Sequence, residues 1–112
     1  MPSLPQGVLT FLLTDIEGST RLWEDAPDTM MEAIQQHDST IDEAIEPFGG
    51  VNVKPRGEGD SRFIVFVSAS DAAAAASRMQ IDLSHVEWVT PRPIKVRAAL
   101  HTGSAELQLA EY

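Results

Sequence analysis

Two acidic residues, each close to a glycine, are the side chains whose chemistry first suggests a function. Asp15 follows the apolar run 8–14 and precedes the turn residue Gly18, and Asp60 directly follows Gly59. An acid at the end of a buried strand, followed by a tight turn and a helix start, is typical of metal and phosphate sites. Two carboxylates a few ångströms apart repel each other unless a cation lies between them. The pair therefore predicts a divalent metal site if the fold brings both acids together.

Each acid also has a purely structural interpretation. Asp15 would serve as a helix or turn cap, because a short side-chain oxygen satisfies free N–H groups there. Asp60 would be an ordinary hairpin residue, since aspartate is favoured in turns. The metal interpretation depends on the two acids converging, which is a question about the order of strands.

Hydrophobic periodicity predicts the elements that position the acids. Residues 8–14 have apolar side chains on both faces, which indicates a central strand. A helical turn over 20–23 is followed by a helix with Pro27 near its start, whose apolar face recurs every three or four residues until Gly49. That face consists of Met30, Ile34, His37, Ile41, Ile45 and Phe48.

The second half of the chain predicts four more strands and a helix. Residues 51–67 indicate a hairpin around a glycine-rich turn, and the alanine-rich stretch 68–83 indicates a helix with hydroxyl residues at its start. Residues 94–100 alternate as a strand, Thr102 and Gly103 are expected to turn the chain, and 105–110 would form a last short strand.

Strand, helices, strand, strand, helix and strand is the order of a ferredoxin-like α+β fold, βαββαβ, with an antiparallel sheet and helices on one face. Right-handed crossovers place the first and third strands side by side in the middle of that sheet. The end of the first strand, with Asp15, then lies beside the start of the third, which begins at Asp60. The topology therefore predicts that the two acids meet at one sheet edge.

Length and charge limit the other possibilities. The 112 residues predict a single domain over 1–112, with 1–7 as an N-terminal extension. The net charge of −9 argues against nucleic acid or an anionic membrane as a partner, and an acidic protein that binds phosphates needs divalent cations locally. The sequence contains no cysteine and no apolar stretch of membrane-spanning length, so a cytoplasmic location is expected.

The segments 14–20, Gly59-Asp60 and His101-Thr102-Gly103 together resemble the catalytic domain of class III adenylate and guanylate cyclases. The resemblance is strongest to bacterial, particularly actinobacterial, members and covers nearly the whole chain. It implies a dimer with active sites at its interface and two Mg²⁺ or Mn²⁺ ions. It further implies that the 3′-hydroxyl of ATP or GTP attacks its own α-phosphate and expels pyrophosphate.

The resemblance also implies roles for individual residues. Asp15 and Asp60 would be metal ligands together with the carbonyl of Ile16. Backbone amides around Gly18, Ser19 and Thr20 would hold the β- and γ-phosphates.

Base recognition and catalysis depart from the family pattern. The family's base-reading lysine corresponds to Arg56, with Lys54 nearby in a longer hairpin, so the choice between adenine and guanine stays open. The family's helix with the asparagine and arginine that stabilise the transition state would follow residue 112. We therefore expect metal and nucleotide binding by a C-terminally truncated domain, with little or no turnover unless a partner supplies those groups.

Three kinds of assembly follow from this interpretation. A homodimer, a segment-exchanged oligomer or a complementing cyclase half would each cover the apolar surface and open edge of a shortened sheet. The alternative function is a non-catalytic nucleotide-binding or dimerisation module that keeps the fold and regulates a partner.

Overall fold

The computed structural model describes residues 7–53 and 61–105, which form one four-stranded antiparallel sheet and three α-helices. The expected βαββαβ order and α+β class are confirmed. The elements in chain order are β1 (Gly7–Ile16), α1 (Ser19–Asp25), α2 (Pro27–Ile45), a 3₁₀ turn (Glu46–Phe48), β2 (Val51–Val53), β3 (Arg62–Phe66), α3 (Ala69–Ser84) and β4 (Val96–Ala105).

Strand β1 occupies the inside of the sheet, whose order is β2-β3-β1-β4. It pairs antiparallel with β3 on one side and with β4 on the other, so Leu12 lies opposite both Ile64 and Leu100. The apolar residues on both faces of β1 follow from burial on both faces, because Leu12 packs against the helices while Leu9 and Phe11 belong to a cluster on the opposite face. The predicted central placement of the first strand beside the third is confirmed.

The main core lies between the sheet and helices α2 and α3. Leu12, Ile64 and Phe66 are fully buried against Ile41 and its neighbours on α2 and against Met79 on α3. The buried alanines of α3 are short enough to bring that helix close to the strands. The opposite face of the sheet carries a smaller cluster made of Leu9, Phe11, Val53 and Val65, in which Phe11 stacks on Phe63.

Two local devices set helix ends. The Ser68 hydroxyl accepts a hydrogen bond from the Asp71 amide over 3.2 Å, which satisfies a free N–H in the first turn of α3 as the sequence predicted. After α2, the 3₁₀ turn ends at Gly49, whose φ of 78° is the left-handed conformation that a glycine adopts without strain.

Strand β4 differs from the prediction at its far end. The chain does not turn at Thr102 and Gly103 but remains extended to Ala105, because these residues pair with the N-terminal half of β1. Gly103 lies opposite Leu9, and the Thr102 hydroxyl is 2.8 Å from the Thr10 hydroxyl. Likewise β1 continues past the predicted 8–14, so Asp15 lies within the paired strand rather than beyond its tip.

Several predictions fall outside the described residues. They are the hairpin turn that contains Lys54, Arg56 and Asp60, and the short strand expected over 105–110 beyond Ala105 itself. Within the described part of the chain, no helix has the length and apolar character needed to cross a membrane.

Candidate functional site

Asp15 forms a two-point ion pair with an arginine of the neighbouring strand. Arg97 donates from Nε to one carboxylate oxygen over 2.7 Å and from Nη2 to the other over 2.8 Å. Both side chains remain open to solvent, with 45% of the Asp15 side chain exposed. The acid predicted to be functional is therefore accessible, and its two oxygens share one cationic partner.

The pairing register places these two side chains together. Asp15 lies directly opposite Arg97 in the β1–β4 pair, so both project from the same face of the sheet. The hydrogen bonds from Arg97 are the largest cause that holds the pKa of Asp15 below its ordinary value of 3.8. Burial opposes them, and the charge of the guanidinium makes a smaller contribution in the same direction as the hydrogen bonds. Asp15 raises the pKa of Arg97 in return. The carboxylate is therefore ionised throughout the neutral range.

The turn after Asp15 begins at the end of the β1–β4 pair. The Glu17 amide donates to the Lys95 carbonyl over 2.8 Å, and Gly18 then adopts a left-handed φ of 66° before α1 starts at Ser19. No side chain caps this helix, and N–H groups in a first turn have no acceptor within the helix. The amides of Ser19 and Thr20 are thus placed for an external acceptor, as the phosphate interpretation requires. Occupancy by a phosphate stays a prediction.

Two of the three predicted metal ligands, Asp15 and the carbonyl of Ile16, lie in the described residues, and their binding of an ion stays a prediction. Asp15 offers an ionised oxygen donor, the kind that Mg²⁺ and Mn²⁺ prefer. The Ile16 side chain is buried, which fixes the backbone that follows Asp15. Across residues 7–53 and 61–105, no three histidine, aspartate or glutamate side chains group closely enough to hold an ion. Asp60 lies outside this region, so its part in the site stays a prediction.

The start of β3, which pairs with the Asp15 end of β1, is held in place by the side chain of Arg62. Arg62 lies two residues after Asp60 in the sequence and opposite Thr14 in the β1–β3 pair. Its guanidinium donates to Asp38 and Asp42 of α2 and to the Asn52 side-chain oxygen of β2. Only 12% of the Arg62 side chain is exposed. These bonds fix the strand end that carries the chain toward Asp60.

Sequence reasoning did not identify Arg97 or Arg62 as site residues. The alternation of 94–100 predicted the strand that contains Arg97, and the observed sheet places that strand beside β1. Neither observation fixed which residue of β4 lies opposite Asp15, because register depends on the tertiary pairing. The candidate base-binding residues Lys54 and Arg56 are outside the described residues and remain predictions.

Comparison with known proteins gives a consistent family. The family model described as the adenylate and guanylate cyclase catalytic domain matches residues 1–109. An uncharacterized protein of Mycobacterium tuberculosis is 44% identical over 104 residues, which is 93% of this chain and 34% of that protein. An adenylate cyclase of Podospora anserina is 34% identical over 84 residues, which is 75% of this chain and 4% of that enzyme.

Solved structures show the same fold. An adenylate cyclase of Trypanosoma brucei, solved in its monomeric state, superimposes with a TM-score of 0.82 at 25% identity. The match covers 96% of this chain and 61% of that one. The chain thus spans about a third of the length of the Mycobacterium relative and less than two thirds of the cyclase structure. On the family match, this chain belongs to the adenylate and guanylate cyclase catalytic domain family.

Proposed function

We propose that this chain is the metal- and phosphate-binding part of a purine nucleotide cyclase domain. The observation that carries the proposal is the accessible, ionised Asp15 carboxylate at the end of β1, directly before the turn at Gly18. A carboxylate and a row of unpaired amides within five residues suit a metal–triphosphate ligand, because one holds the cation and the other holds the anion. The family match supports the same chemistry.

Asp15, the Ile16 carbonyl and Asp60 would hold two Mg²⁺ or Mn²⁺ ions in this proposal. Such ions, when bound, lower the pKa of an attacking hydroxyl and neutralise charge on the leaving phosphate oxygens. The role of this chain is to hold the carboxylate ionised and in place. Arg97 lowers the pKa of this carboxylate and orients it through two hydrogen bonds, and a cation that binds Asp15 must compete with Arg97.

The substrate in this proposal is ATP or GTP, with the β- and γ-phosphates near the amides of Ser19 and Thr20. The base would be read by Arg56 or Lys54, whose side chains differ in the hydrogen bonds that they donate. Turnover by these 112 residues alone is expected to be very weak. They cover 61% of the Trypanosoma cyclase chain, so that cyclase contains residues that have no counterpart among these 112.

Calorimetric titration of Mn²⁺ tests the metal part of the proposal. Asp15→Asn keeps the shape of the side chain but removes its charge, so Mn²⁺ affinity should fall at least tenfold. Glu43→Gln is the matched control, because it removes an exposed carboxylate from α2 and should leave Mn²⁺ affinity unchanged. Equal affinity in wild type and Asp15→Asn would remove Asp15 from the metal site.

Assays for cyclic nucleotide test the catalytic part. Wild-type chain with Mn²⁺ and either ATP or GTP should release little or no cyclic AMP or cyclic GMP. A full-length cyclase domain whose metal-binding aspartates have been replaced still has the residues that stabilise the transition state. Its addition should raise the rate, because it supplies those residues. Vigorous turnover by the purified chain alone would contradict the proposed dependence on a partner.

A second candidate function is a non-catalytic interaction module that binds nucleotide or forms a dimer. The exposed edge strand β4 favours it, since ten residues, Val96–Ala105, pair with β1 on one side only within the described sheet. Leu100 on that strand is 45% exposed. An open edge of this length is a place where another strand can add. Measurement of molar mass against concentration distinguishes a self-associating module from a monomeric chain.

A further inference from the structure

A cationic cleft lies next to the Asp15 edge. It shares Gly18 with the proposed phosphate turn, but the side chains that supply its charge have no part in the proposed metal and phosphate site. It has a volume of about 380 Å³ and is lined by Arg21 of α1, by Arg92 and Lys95 of the segment before β4, and by Glu17. Gly18, Leu22 and Pro93 complete its wall. The volume is within the ~300–1,000 Å³ range of small-molecule sites.

The concentration of positive charge in this cleft is unusual for the chain. The protein has eight lysines and arginines against seventeen acids, and six of the eight lie in the described residues. Three of those six line this one cleft, with Glu17 as the only acid among the lining residues. The local balance is therefore +2 beside a chain of net charge −9. Such a local reversal of sign attracts anions to one place on an otherwise acidic surface.

The three cations of the cleft are also less engaged than the other described arginines. Arg62, Arg78 and Arg97 each donate hydrogen bonds to an aspartate. Arg92 lies 3.6 Å from Asp25 with both side chains more than half exposed, which is a weak, screened pair. No ion pair involves Arg21 or Lys95 among residues 7–53 and 61–105. Their charges are available to a ligand.

We propose that this cleft is a second anion site, which binds a di- or triphosphate group without a divalent ion and without Asp15. Three cations on two segments of the chain suit a linear polyphosphate better than a single phosphate, because several anionic groups can each meet a separate cation. Arg21 and Arg92 would contribute forked donors, and Lys95 a compact charge. The ligand class covers free pyrophosphate, free triphosphate and the phosphate chain of a nucleotide effector.

Titration of inorganic triphosphate into the metal-free chain at low ionic strength tests the proposal. Wild type should bind, and orthophosphate should bind at least tenfold more weakly than triphosphate. The double variant Arg21→Gln with Lys95→Gln should lose at least tenfold in triphosphate affinity. Arg78→Gln is the matched control, since it removes an exposed arginine of α3 and should change the affinity less than twofold.

Asp15→Asn separates this site from the proposed metal site. It should retain triphosphate binding, because Asp15 does not line the cleft. Loss of triphosphate binding in Asp15→Asn, absence of binding in wild type, or an equal loss in Arg78→Gln would each overturn the proposal. A failure of Mn²⁺ to bind at Asp15 would contradict the proposed function and leave this inference standing.

Backbone amide chemical shifts provide a second measurement that does not depend on the double variant folding. Addition of triphosphate to wild type should shift the amides of Arg21, Arg92 and Lys95 more than those of Arg78 and Asp82. Shifts concentrated away from the cleft would contradict the assignment. Shifts concentrated in the cleft, together with weaker triphosphate binding by the single variant Arg92→Gln, would support the assignment.

Discussion

Asp15 and Arg97 face each other across the β1–β4 pair and are joined by two hydrogen bonds of 2.7 and 2.8 Å. Paired oxygens and paired nitrogens in this arrangement fix the orientation of both groups, which a single contact would not. The same arginine that lowers the pKa of the acid also competes with any cation for its oxygens. Before an ion binds, Asp15 is therefore paired with Arg97, and the ion must replace that partner.

Replacement of Arg97 should strengthen Mn²⁺ binding if this competition operates. Arg97→Gln removes the guanidinium charge, so Mn²⁺ affinity measured by calorimetry should rise by about two- to fivefold, the scale of one exposed ion pair. Arg78→Gln on α3 is the control and should leave the affinity unchanged. Weaker Mn²⁺ binding in Arg97→Gln would show that Arg97 assists the ion.

The acid–arginine pair should also make stability depend on pH in a defined direction. The pKa of Asp15 is below 3.8 in the folded chain, so the pair contributes above that pH and its contribution is lost as pH falls through the folded pKa. Urea midpoints of wild type and Asp15→Asn should differ slightly at neutral pH and converge in acid. Arg97→Gln removes the pair from the other side and should show the same convergence. A difference that widens in acid would contradict the lowered pKa.

Adjacent leucines of β1 should differ sharply in their effect on stability. Leu12 is fully buried against α2 and α3, whereas Leu13 is 44% exposed on the opposite face. Leu12→Ala should lower the free energy of unfolding by about 2–5 kcal/mol, because it removes buried methyl groups and leaves a cavity. Leu13→Ala should lower it by about 1 kcal/mol or less. Urea denaturation measures both, and equal losses would contradict the assignment of faces.

The hydroxyl at the start of α3 should contribute measurably to that helix. Ser68→Ala removes the acceptor for the Asp71 amide and should lower the free energy of unfolding by about 1 kcal/mol. Ser39→Ala is the control, because Ser39 is exposed inside α2 and alanine is the better helix former. That variant should be as stable as wild type or slightly more so. No difference between the two variants would argue against the cap.

Local patterns were sufficient to predict the helices and the central strand. The recurrence of Met30, His37 and Ile41 indicates one buried face of α2, and the structure buries all three. The end of β4 was predicted wrongly, since Thr102 and Gly103 have the composition of a turn. Their extended conformation depends on Gly7–Thr10, more than ninety residues earlier in the chain, and no local pattern contains that partner.

The residues of the candidate site also differ in whether a local sequence pattern predicts them. Asp15 was found from its position at the end of an apolar run, which is a local property. Arg97 became visible only with the β1–β4 register, which depends on the whole sheet. The cleft cations Arg21 and Lys95 are seventy-four positions apart in the sequence, so their common location needed the fold as well.

The face-to-face placement of Asp15 and Arg97 also makes the site sensitive to changes that do not touch it. Side chains alternate along a strand, so a slip of β4 by one residue along β1 would bring Val96 or Ala98 opposite Asp15 and turn Arg97 toward the helices. The connection between α3 and β4 determines how far β4 reaches. An insertion or deletion there would leave every site residue in the sequence and still separate the acid from its arginine.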